Sequence, residues 1–398
     1  MTQRWIILTG TALSLSLAAC GAPGQASGGG DDGGGDAPFE VGLVYSKSGP
    51  LAPYGAQYKA AFDVGLDYAT DGTGEVDGRE IRISEKDDAG DPSKAVSAAT
   101  TLIGQGSDIL AGSTSSGVAL QVAPLAKDNK TLFISGPAAT DGVTGLNEYT
   151  FRSGRQTYQD VATAGTMLGD VDGKKVTVLA QDSAFGTANI DAVKGVLGEK
   201  GAEVTAIEAP AAAKDFTPFA TKIKSQSPDL LFVAWAGENA TSMWGTLSQQ
   251  GVFETTTVVT GLDIKATHSL FGEAGTKIDF LSHFFKGAAD NEAYTALESG
   301  LEENGEEVDL FSNDGFVAAQ MVVHALKEGE GDTNAMIDAL EGWTFEGPKG
   351  DMEIRAEDHA MLQPMFTVSL EKEGGEFAPV LGETIAPADV APPVASGK

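Results

Sequence analysis

Two short polar loops carry the residues whose types and spacing indicate ligand chemistry. The first, Gly112 to Gly117, reads Gly-Ser-Thr-Ser-Ser-Gly and lies between an apolar stretch and an amphipathic segment. Hydroxyls and free amides at the start of a helix bind anions, because the first N–H groups of a helix lack partners within it. The second loop, Gly136 to Thr140, follows the next apolar stretch. Together the loops predict a ligand crevice, with simple helix capping by Ser115 or Ser116 as the alternative.

Sequence patterns typical of common enzymes are missing from the chain. It contains no GxSxG, HExxH or Walker A pattern, and no GxGxxG after a predicted strand. The histidines do not have the spacing of metal ligands; they are His268, His283, His324 and His359. We therefore expect a binding protein rather than an enzyme, with no catalytic residue, no metal site and no cofactor.

An alternation of short strands and helices places these loops. The predicted strands are short apolar runs at 39–45, 79–86, 108–111, 131–135, 175–180, 230–235 and 256–260. Helices are predicted at 55–69, 92–104 and 311–327, and the apolar stripe of the last one is interpreted as core. Apolar strands separated by helices indicate parallel sheets that are covered on both faces. The sequence therefore predicts an α/β fold.

Size and charge limit the class of protein. The 398 residues are 41% hydrophobic, which is enough to bury a core, and the length suits two or three domains. The chain has 57 acidic and 26 basic side chains, for a formal charge of −31. Because nucleic acids bind to basic surfaces, this charge argues against a nucleic-acid partner.

The N-terminal segment predicts export and lipid anchoring. Residues 5–18 are apolar or small and too few to span a bilayer. They lead into Leu17-Ala18-Ala19-Cys20, which resembles a bacterial lipobox. Residues 1–19 are therefore predicted to be a lipoprotein signal peptide, Cys20 the lipidated residue and the Gly-rich segment 20–38 a tether. The folded part is then expected on the extracytoplasmic face of the bacterial cell membrane, held through the lipid anchor only. A signal peptide cut nearby, with an incidental cysteine, is the alternative.

Several motifs in register resemble one family of binding proteins. They are Val41 to Pro50 with Tyr54-Gly55, Asp87 to Pro92, the two polar loops, Phe151-Arg152, Asp182 with Phe185-Gly186, Asp215-Phe216 and Phe345 to Gly350. Over residues 39–380 the chain resembles the type I periplasmic binding proteins of the leucine/isoleucine/valine-binding kind, which feed ABC importers. The resemblance implies two Rossmann-like lobes with parallel central sheets, joined by three hinge crossings. The implied lobes are 39–155 with 283–345, and 156–282 with 346–382, followed by a disordered tail at 383–398.

The resemblance also implies roles for individual residues. Ser115, with Ser116 beside it, and Thr140 would bind the carboxylate of the ligand. The carbonyl of Ala138 and the hydroxyl of Thr140 would accept hydrogen bonds from its ammonium group. Asp263 would supply the charge that a buried ammonium needs. Capping of the following helix is the alternative role for Asp263.

Four further positions line the implied side-chain pocket, namely Tyr54, Phe185, Glu238 and Phe311. Branched-chain binders commonly have an aromatic residue where this chain has Glu238, so the resemblance favours an amino-acid-like ligand more than leucine itself. Family members often join the turn at 87–92 to the serine loop by a disulfide, and the corresponding positions here are Gly90 and Thr114. We therefore expect packing alone to hold the serine loop.

These observations predict a monomeric, lipid-anchored substrate-binding protein. It would capture an amino acid, branched-chain-like or related, and deliver it to the permease and ATPase subunits of an ABC importer. A small carboxylate, an aromatic acid or an amide is the alternative ligand, and Asp263 would then have another role. A ligand sensor that signals to a membrane receptor is a further alternative.

Overall fold

Strands and helices alternate along the described part of the chain, which comprises residues 37–237 and 239–397 of a computed structural model. The helices are α1 (Ala52–Ala69), α2 (Pro92–Gly104), α3 (Ser116–Asn129), α4 (Thr157–Leu168), α5 (Ala184–Val193), α6 (Thr217–Gln226), α7 (Ala240–Gln249), α8 (Glu292–Glu303), α9 (Ser312–Gly329) and α10 (Thr333–Leu340). Over these described residues, none of the helices is both long and apolar enough to cross a bilayer. Cys20 and Glu238 lie outside the described residues, so their predicted roles stay predictions.

The first sheet comes from the N-terminal part of the chain. Its strands are β1 (Phe39–Tyr45), β2 (Glu75–Val76), β3 (Arg79–Asp87), β4 (Ile109–Gly112), β5 (Leu132–Ser135) and β6 (Thr150–Arg152), in the order β2-β3-β1-β4-β5-β6. The strands pair in parallel, except that β2 is antiparallel to β3. Leu43 packs with α1, α9 and α10, whereas its neighbour Val44 packs with α2 and α3 on the opposite face. Both faces are thus buried, which explains the continuous apolar runs.

The second sheet comes from the later part of the chain. Its strands are β7 (Lys175–Asp182), β8 (Glu203–Pro210), β9 (Leu230–Ala234), β10 (Thr257–Gly261), β11 (Ile278–Ser282), β15 (Met365–Glu373) and β16 (Glu376–Ile385), in the order β16-β15-β11-β10-β9-β7-β8. Strands β7 to β11 pair in parallel, and β15 and β16 are added antiparallel. Leu231 packs on one face with α6 and α7, and Phe232 packs on the other with α4 and α5. The predicted α/β fold with parallel-dominated sheets is therefore confirmed.

The chain passes between the two sheets after β6, after β11 and before β15. A small antiparallel sheet precedes the last crossing and consists of β12 (Thr344–Gly347), β13 (Gly350–Ile354) and β14 (Met361–Leu362). Met352, Ile354 and Met361 are buried in the core of the first sheet. Their packing puts residues 346–362 with the first sheet, whereas the sequence assigned them to the second lobe. That the two lobes move as separate bodies stays a prediction.

The C-terminal residues are ordered by a hairpin and by polar contacts. Strand β16 pairs with β15 through a turn at Gly374-Gly375 and extends to Ile385. Beyond it, Val390 is fully buried and the backbone amide of Ala395 donates to the Asp358 carboxylate at 2.9 Å. The prediction of disorder at 383–398 is therefore wrong for residues 383–397. The Pro- and Ala-rich composition suggested disorder, but the chain finds tertiary partners.

Candidate ligand-binding site

A cavity of about 470 Å³ lies at the carboxyl ends of strands from both central sheets. Ligands of open α/β sheets bind at these ends, because the loops that follow parallel strands meet there. The walls include the loops after β4, β5 and β6 of the first sheet and after β7, β9, β10 and β11 of the second. Six predicted site residues are brought together on its walls: Tyr54, Ser115, Ser116, Phe185, Asp263 and Phe311.

Backbone geometry turns the serine loop toward the cavity. Gly112 has a φ of 114°, and a Cβ at this position would lie 2.3 Å from the Val44 carbonyl oxygen, so only glycine fits. Ser113 is also left-handed, with a φ of 82°, and its hydroxyl donates to the Ser115 carbonyl at 2.8 Å. Ser115 precedes α3 in an extended conformation, and its side chain does not cap the helix. Its hydroxyl and the first amides of α3 therefore offer donors to an anion in the cavity.

Hydrogen bonds, and not packing alone, hold the serine loop. The Thr114 hydroxyl lies 2.6 Å from the Ser46 hydroxyl, which donates to the Asp88 carboxylate at 2.6 Å. The same Asp88 oxygen accepts from the backbone amide of Gly90 at 2.7 Å. All of these contacts are buried or nearly so, and burial raises the pKa of Asp88. The network thus joins the two segments that a disulfide often joins in the family, which corrects the expectation from the sequence.

Two predicted contacts, Ala138 and Thr140, are not on the cavity wall. The Ala138 carbonyl accepts from Nη2 of Arg152 at 2.8 Å, and the Thr140 hydroxyl accepts from the amide of Gly142 at 3.2 Å. The neighbouring residues Pro137 and Ala139 line the cavity instead. The structure does not bring these two residues to the cavity wall, and their predicted contacts with a ligand stay predictions.

Asp263 and Tyr54 meet across the cavity. The Tyr54 hydroxyl donates to Oδ1 of Asp263 at 2.8 Å, and the backbone amide of Ile264 donates to the same oxygen at 2.8 Å. Burial raises the pKa of Asp263, although both hydrogen bonds act in the opposite direction. Burial and the nearby Asp263 carboxylate together raise the pKa of Tyr54 well above its ordinary value. Asp263 therefore accepts from the amide of the next residue and presents a carboxylate to the cavity, but it does not cap the following helix, whose N-cap is Ile264.

Aromatic side chains form the apolar part of the walls. The rings of Tyr54 and Phe311 are tilted against each other with centroids 4.7 Å apart. Phe185 lies in the first turn of α5, where the Ser183 hydroxyl accepts from the backbone amide of Gly186 at 3.1 Å. Trp235 follows β9 and also lines the cavity. These rings suit the apolar portion of a small organic ligand.

Sequence reasoning missed a buried ionic group at the crossings between the sheets. Arg155 and His283 line the cavity, and Nε of Arg155 lies 3.2 Å from the Asp160 carboxylate. Nε2 of His283 lies 3.6 Å from Asp314, and the Lys349 ammonium donates to the His283 carbonyl at 2.9 Å. Burial lowers the pKa of His283 well below its usual range and that of Lys349 to about 7. The available signal was that Arg155 lies in the short loop after β6, next to strands that also end in polar loops.

Comparison with known proteins connects this geometry to a family. Residues 38–376 match the family model described as periplasmic binding protein. The Leu/Ile/Val-binding protein BraC3 of Rhizobium johnstonii is 30% identical over 199 residues, which are 49% of this chain and 54% of that protein. The match thus spans about half the length of this relative. The Leu/Ile/Val-binding protein homolog 1 of Brucella abortus is 24% identical over 317 residues, 78% of this chain and 85% of that one.

Solved structures share the fold. A crystal structure of an ABC-type branched-chain amino acid transporter from Rhodopseudomonas palustris has a TM-score of 0.76 and 30% identity, and covers 90% of this chain and 100% of that one. A solute-binding protein of an ABC transporter from the same species, in complex with 4-hydroxybenzoate, has a TM-score of 0.80 and 22% identity. The match covers 88% of this chain and 97% of that one. At that identity the second likeness concerns the fold alone.

Proposed function

The chain belongs to the type I periplasmic binding protein family, and from this premise we propose that it is the solute-binding component of an ABC importer. The proposed solute is an amino acid, branched-chain-like or related. The volume of the cavity, about 470 Å³, is within the usual range for sites that enclose a small organic molecule. In this role the protein binds and releases its solute without changing it chemically.

One observation supports an amino acid as the ligand: the walls of the cavity include both a group that favours an anion and a group that favours a cation. The Ser115 hydroxyl and the first amides of α3 favour an anion. The Asp263 carboxylate, in the loop after β10, favours a cation. An α-amino acid carries both charges on one carbon and can satisfy both at once. The rings of Tyr54, Phe185 and Phe311 would then surround its side chain.

The role of Asp263 follows from the cost of desolvation. A ligand ammonium that leaves water for a cavity needs a charged partner in addition to neutral hydrogen bonds. The raised pKa of Asp263 follows from burial, which disfavours the ionised form. A bound ammonium stabilises the ionised form, so binding and ionisation support each other.

A small carboxylate without an amine, such as an aromatic acid, is the second candidate ligand. It is favoured by Arg155, which brings a guanidinium to the same cavity. The aromatic walls are also compatible with such a ligand. In this case Asp263 would not contact a cation and would act mainly as the hydrogen-bond partner of Tyr54 and Ile264.

The location and partners complete the proposal. The protein is exported, cleaved before Cys20 and held by lipid on that residue, with residues 20–38 as a tether. It acts as a monomer on the extracytoplasmic face of the membrane, where it delivers its solute to permease and ATPase subunits. The lipobox-like Leu17-Ala18-Ala19-Cys20 and the family membership support this part.

The function is tested by identifying the solute and then following its uptake. Small molecules released from the purified protein by denaturation are identified by mass spectrometry, and we expect an amino acid or another small carboxylate. Cells that lack the gene should then take up this labelled solute more slowly, while the uptake of an unrelated sugar is unchanged. Normal uptake of the identified solute in those cells, with no redundant binder of it present, contradicts a role in import.

A further inference from the structure

Arg155 is a buried cation whose hydrogen-bonding capacity is only partly used. The residue is 8% exposed and lines the cavity. Its Nε donates to the Asp160 carboxylate at 3.2 Å, and its Nη1 donates to the Pro137 carbonyl at 3.0 Å. Among the residues that the structure describes, Nη2 has no acceptor. Because Arg155 lines the cavity and its Nη2 is not enclosed by protein, these donors are available to an acceptor within the cavity.

The neighbouring Arg152 shows what a purely structural arginine looks like in this fold. All five of its donors are used: its three nitrogens donate to the carbonyls of Gly154, Thr140, Ala138 and Arg155 and to the Thr144 hydroxyl. Arg152 is 1% exposed and does not line the cavity. Arg155 differs on both counts, since it reaches the cavity and keeps free donors there.

Arg155 belongs to the same wall as the serine loop. Its contact with Pro137 ties it to the loop after β5, and that loop is tied to α3 because the amide of Thr140 donates to the Ser116 hydroxyl at 3.3 Å. The guanidinium, Ser115 and the first turn of α3 all line the cavity, and the loop after β5 connects them. All three favour an anion, and a planar guanidinium matches the two oxygens of a carboxylate.

The groups around the Arg155 guanidinium carry both positive and negative charges. Asp160 pairs with Arg155, but burial raises the pKa of that carboxyl despite the pairing. Arg152 and Lys349 add positive charge nearby, and Asp314 adds a buried carboxyl that contacts His283. Asp141 adds a third carboxyl that acts on Arg152 and Asp160. The attraction of a carboxylate placed against Nη2 would therefore come mainly from the Arg155 guanidinium itself.

We propose that Arg155 is a ligand-binding residue that donates hydrogen bonds from its guanidinium to the carboxylate of the solute. The assignment rests on the proposed function, because Arg155 gains this partner only if the cavity holds a small carboxylate. It applies to the α-carboxylate of an amino acid and to the carboxylate of an acid without an amine. It makes Arg155 the residue that selects acids over their neutral amides and esters.

Calorimetric titration of purified wild-type and variant protein tests the assignment. The probes are the common amino acids, the amide of the amino acid that binds best, and the amine-free acids 4-methylpentanoate and 4-hydroxybenzoate. For every acid that the wild type binds, Arg155→Met should weaken binding by about ten- to a hundredfold, as expected for a lost hydrogen bond to a charged group. The amide should be affected little, so the preference for acid over amide collapses.

Matched variants separate binding from folding. Arg155→Met leaves Asp160 buried without its partner, so the double variant Arg155→Met/Asp160→Asn removes both charges together. Arg155→Lys keeps the charge but not the planar fork, and it should fall between the wild type and Arg155→Met. Arg82→Met changes an exposed arginine away from the cavity and should bind as the wild type does. Circular dichroism verifies that each variant is folded.

The outcomes of the proposed function and of this assignment can be told apart. If the wild type binds none of the acids, the proposed function fails, and the assignment fails with it. If the wild type binds an acid and the folded Arg155 variants bind that acid equally well, only the assignment is overturned. Equal weakening of acid and amide also overturns it, because that result is the mark of a structural role.

Discussion

Asp263→Asn is the substitution that separates the two candidate ligands. The hydrogen bonds that Asp263 accepts from Tyr54 and from the amide of Ile264 end on Oδ1, and the Thr267 side chain also stabilises the carboxylate. Asparagine keeps a carbonyl oxygen at this position, so both can persist. It replaces the second carboxylate oxygen by an NH₂ group, which cannot accept from a ligand ammonium. The variant therefore removes charge while preserving the local structure.

The expected loss of affinity follows from the charge of this contact. A hydrogen bond to a charged group contributes about 1.5–3 kcal/mol net, and a buried ammonium left without its partner adds to the cost. Taking about 1.4 kcal/mol for each tenfold change, amino-acid affinity should fall by roughly ten- to a thousandfold. An acid without an amine should bind Asp263→Asn as well as, or better than, the wild type, because a like charge has been removed.

The pH dependence of binding provides a second reading from the same variant. Because burial raises the pKa of Asp263, its carboxylate takes up a proton at a higher pH than an ordinary aspartate. Affinity for an amino acid should therefore decline as the pH falls toward that raised pKa. Asp263→Asn has no such group and should lack this decline. Burial raises the pKa of Tyr54 and lowers that of His268. Both groups are retained in Asp263→Asn, so the difference between the two pH profiles isolates the contribution of Asp263.

Calorimetry with the identified solute is the assay, and Asp191→Asn is the control. Asp191 is an exposed residue on α5, and the Asp191→Asn variant should bind the solute as the wild type does. An amino acid that binds Asp263→Asn with wild-type affinity and an unchanged pH profile would refute the ammonium assignment. The reasoning about desolvation of the cavity would then be wrong as well.

Further predictions concern the anion site, the serine loop, the anchor and closure. Ser115→Ala should weaken binding less than Asp263→Asn in calorimetry, because the amides of α3 remain; an equal or larger loss contradicts this. Ser46→Ala should lower the free energy of unfolding in urea by about 1.5–3 kcal/mol, since buried Asp88 loses a donor, and an unchanged midpoint opposes the network. The Cys20→Ser protein should no longer be found in the membrane fraction. If it stays bound to membranes through carbonate washing, the prediction of a lipid anchor is wrong. Solute should reduce the radius of gyration in small-angle scattering, and identical values with and without it speak against closure.

The fold could be predicted in detail where local pattern and tertiary packing agree. Strand β1 has the predicted bounds because its continuous apolar run is buried on both faces of the sheet. Helix α2 has them because Pro92 starts the helix. Strand β8 was missed because its exposed and buried residues alternate, so no apolar run marks it. The hairpin of β15 and β16 has a usable signal in Gly374-Gly375, but the compositional prediction of a tail at 383–398 included the last residues of β16, which ends at Ile385.

The site was predicted where loop position suffices and missed where long-range contacts decide. Ser115, Tyr54 and Asp263 lie in loops or helix starts whose place follows from the order of the strands. Ala138 and Thr140 are not on the cavity wall and hydrogen-bond to Arg152 and Gly142 instead, and no spacing in the sequence encodes these contacts. The Ser46–Asp88–Thr114 network was missed for the same reason, since it joins three segments that are distant in sequence.

The central claim is that the cavity binds a small carboxylate, and the thermal unfolding midpoint of the purified protein tests it most directly. The midpoint is measured with amino acids, amine-free carboxylates, amides and sugars, each in large excess. A ligand present at 100 times its Kd stabilises the folded state by about 2.7 kcal/mol, which is enough to raise the midpoint measurably. We predict a rise with at least one acid and a smaller or no rise with its amide. An unchanged midpoint with every acid, together with a rise for a sugar, would contradict the account.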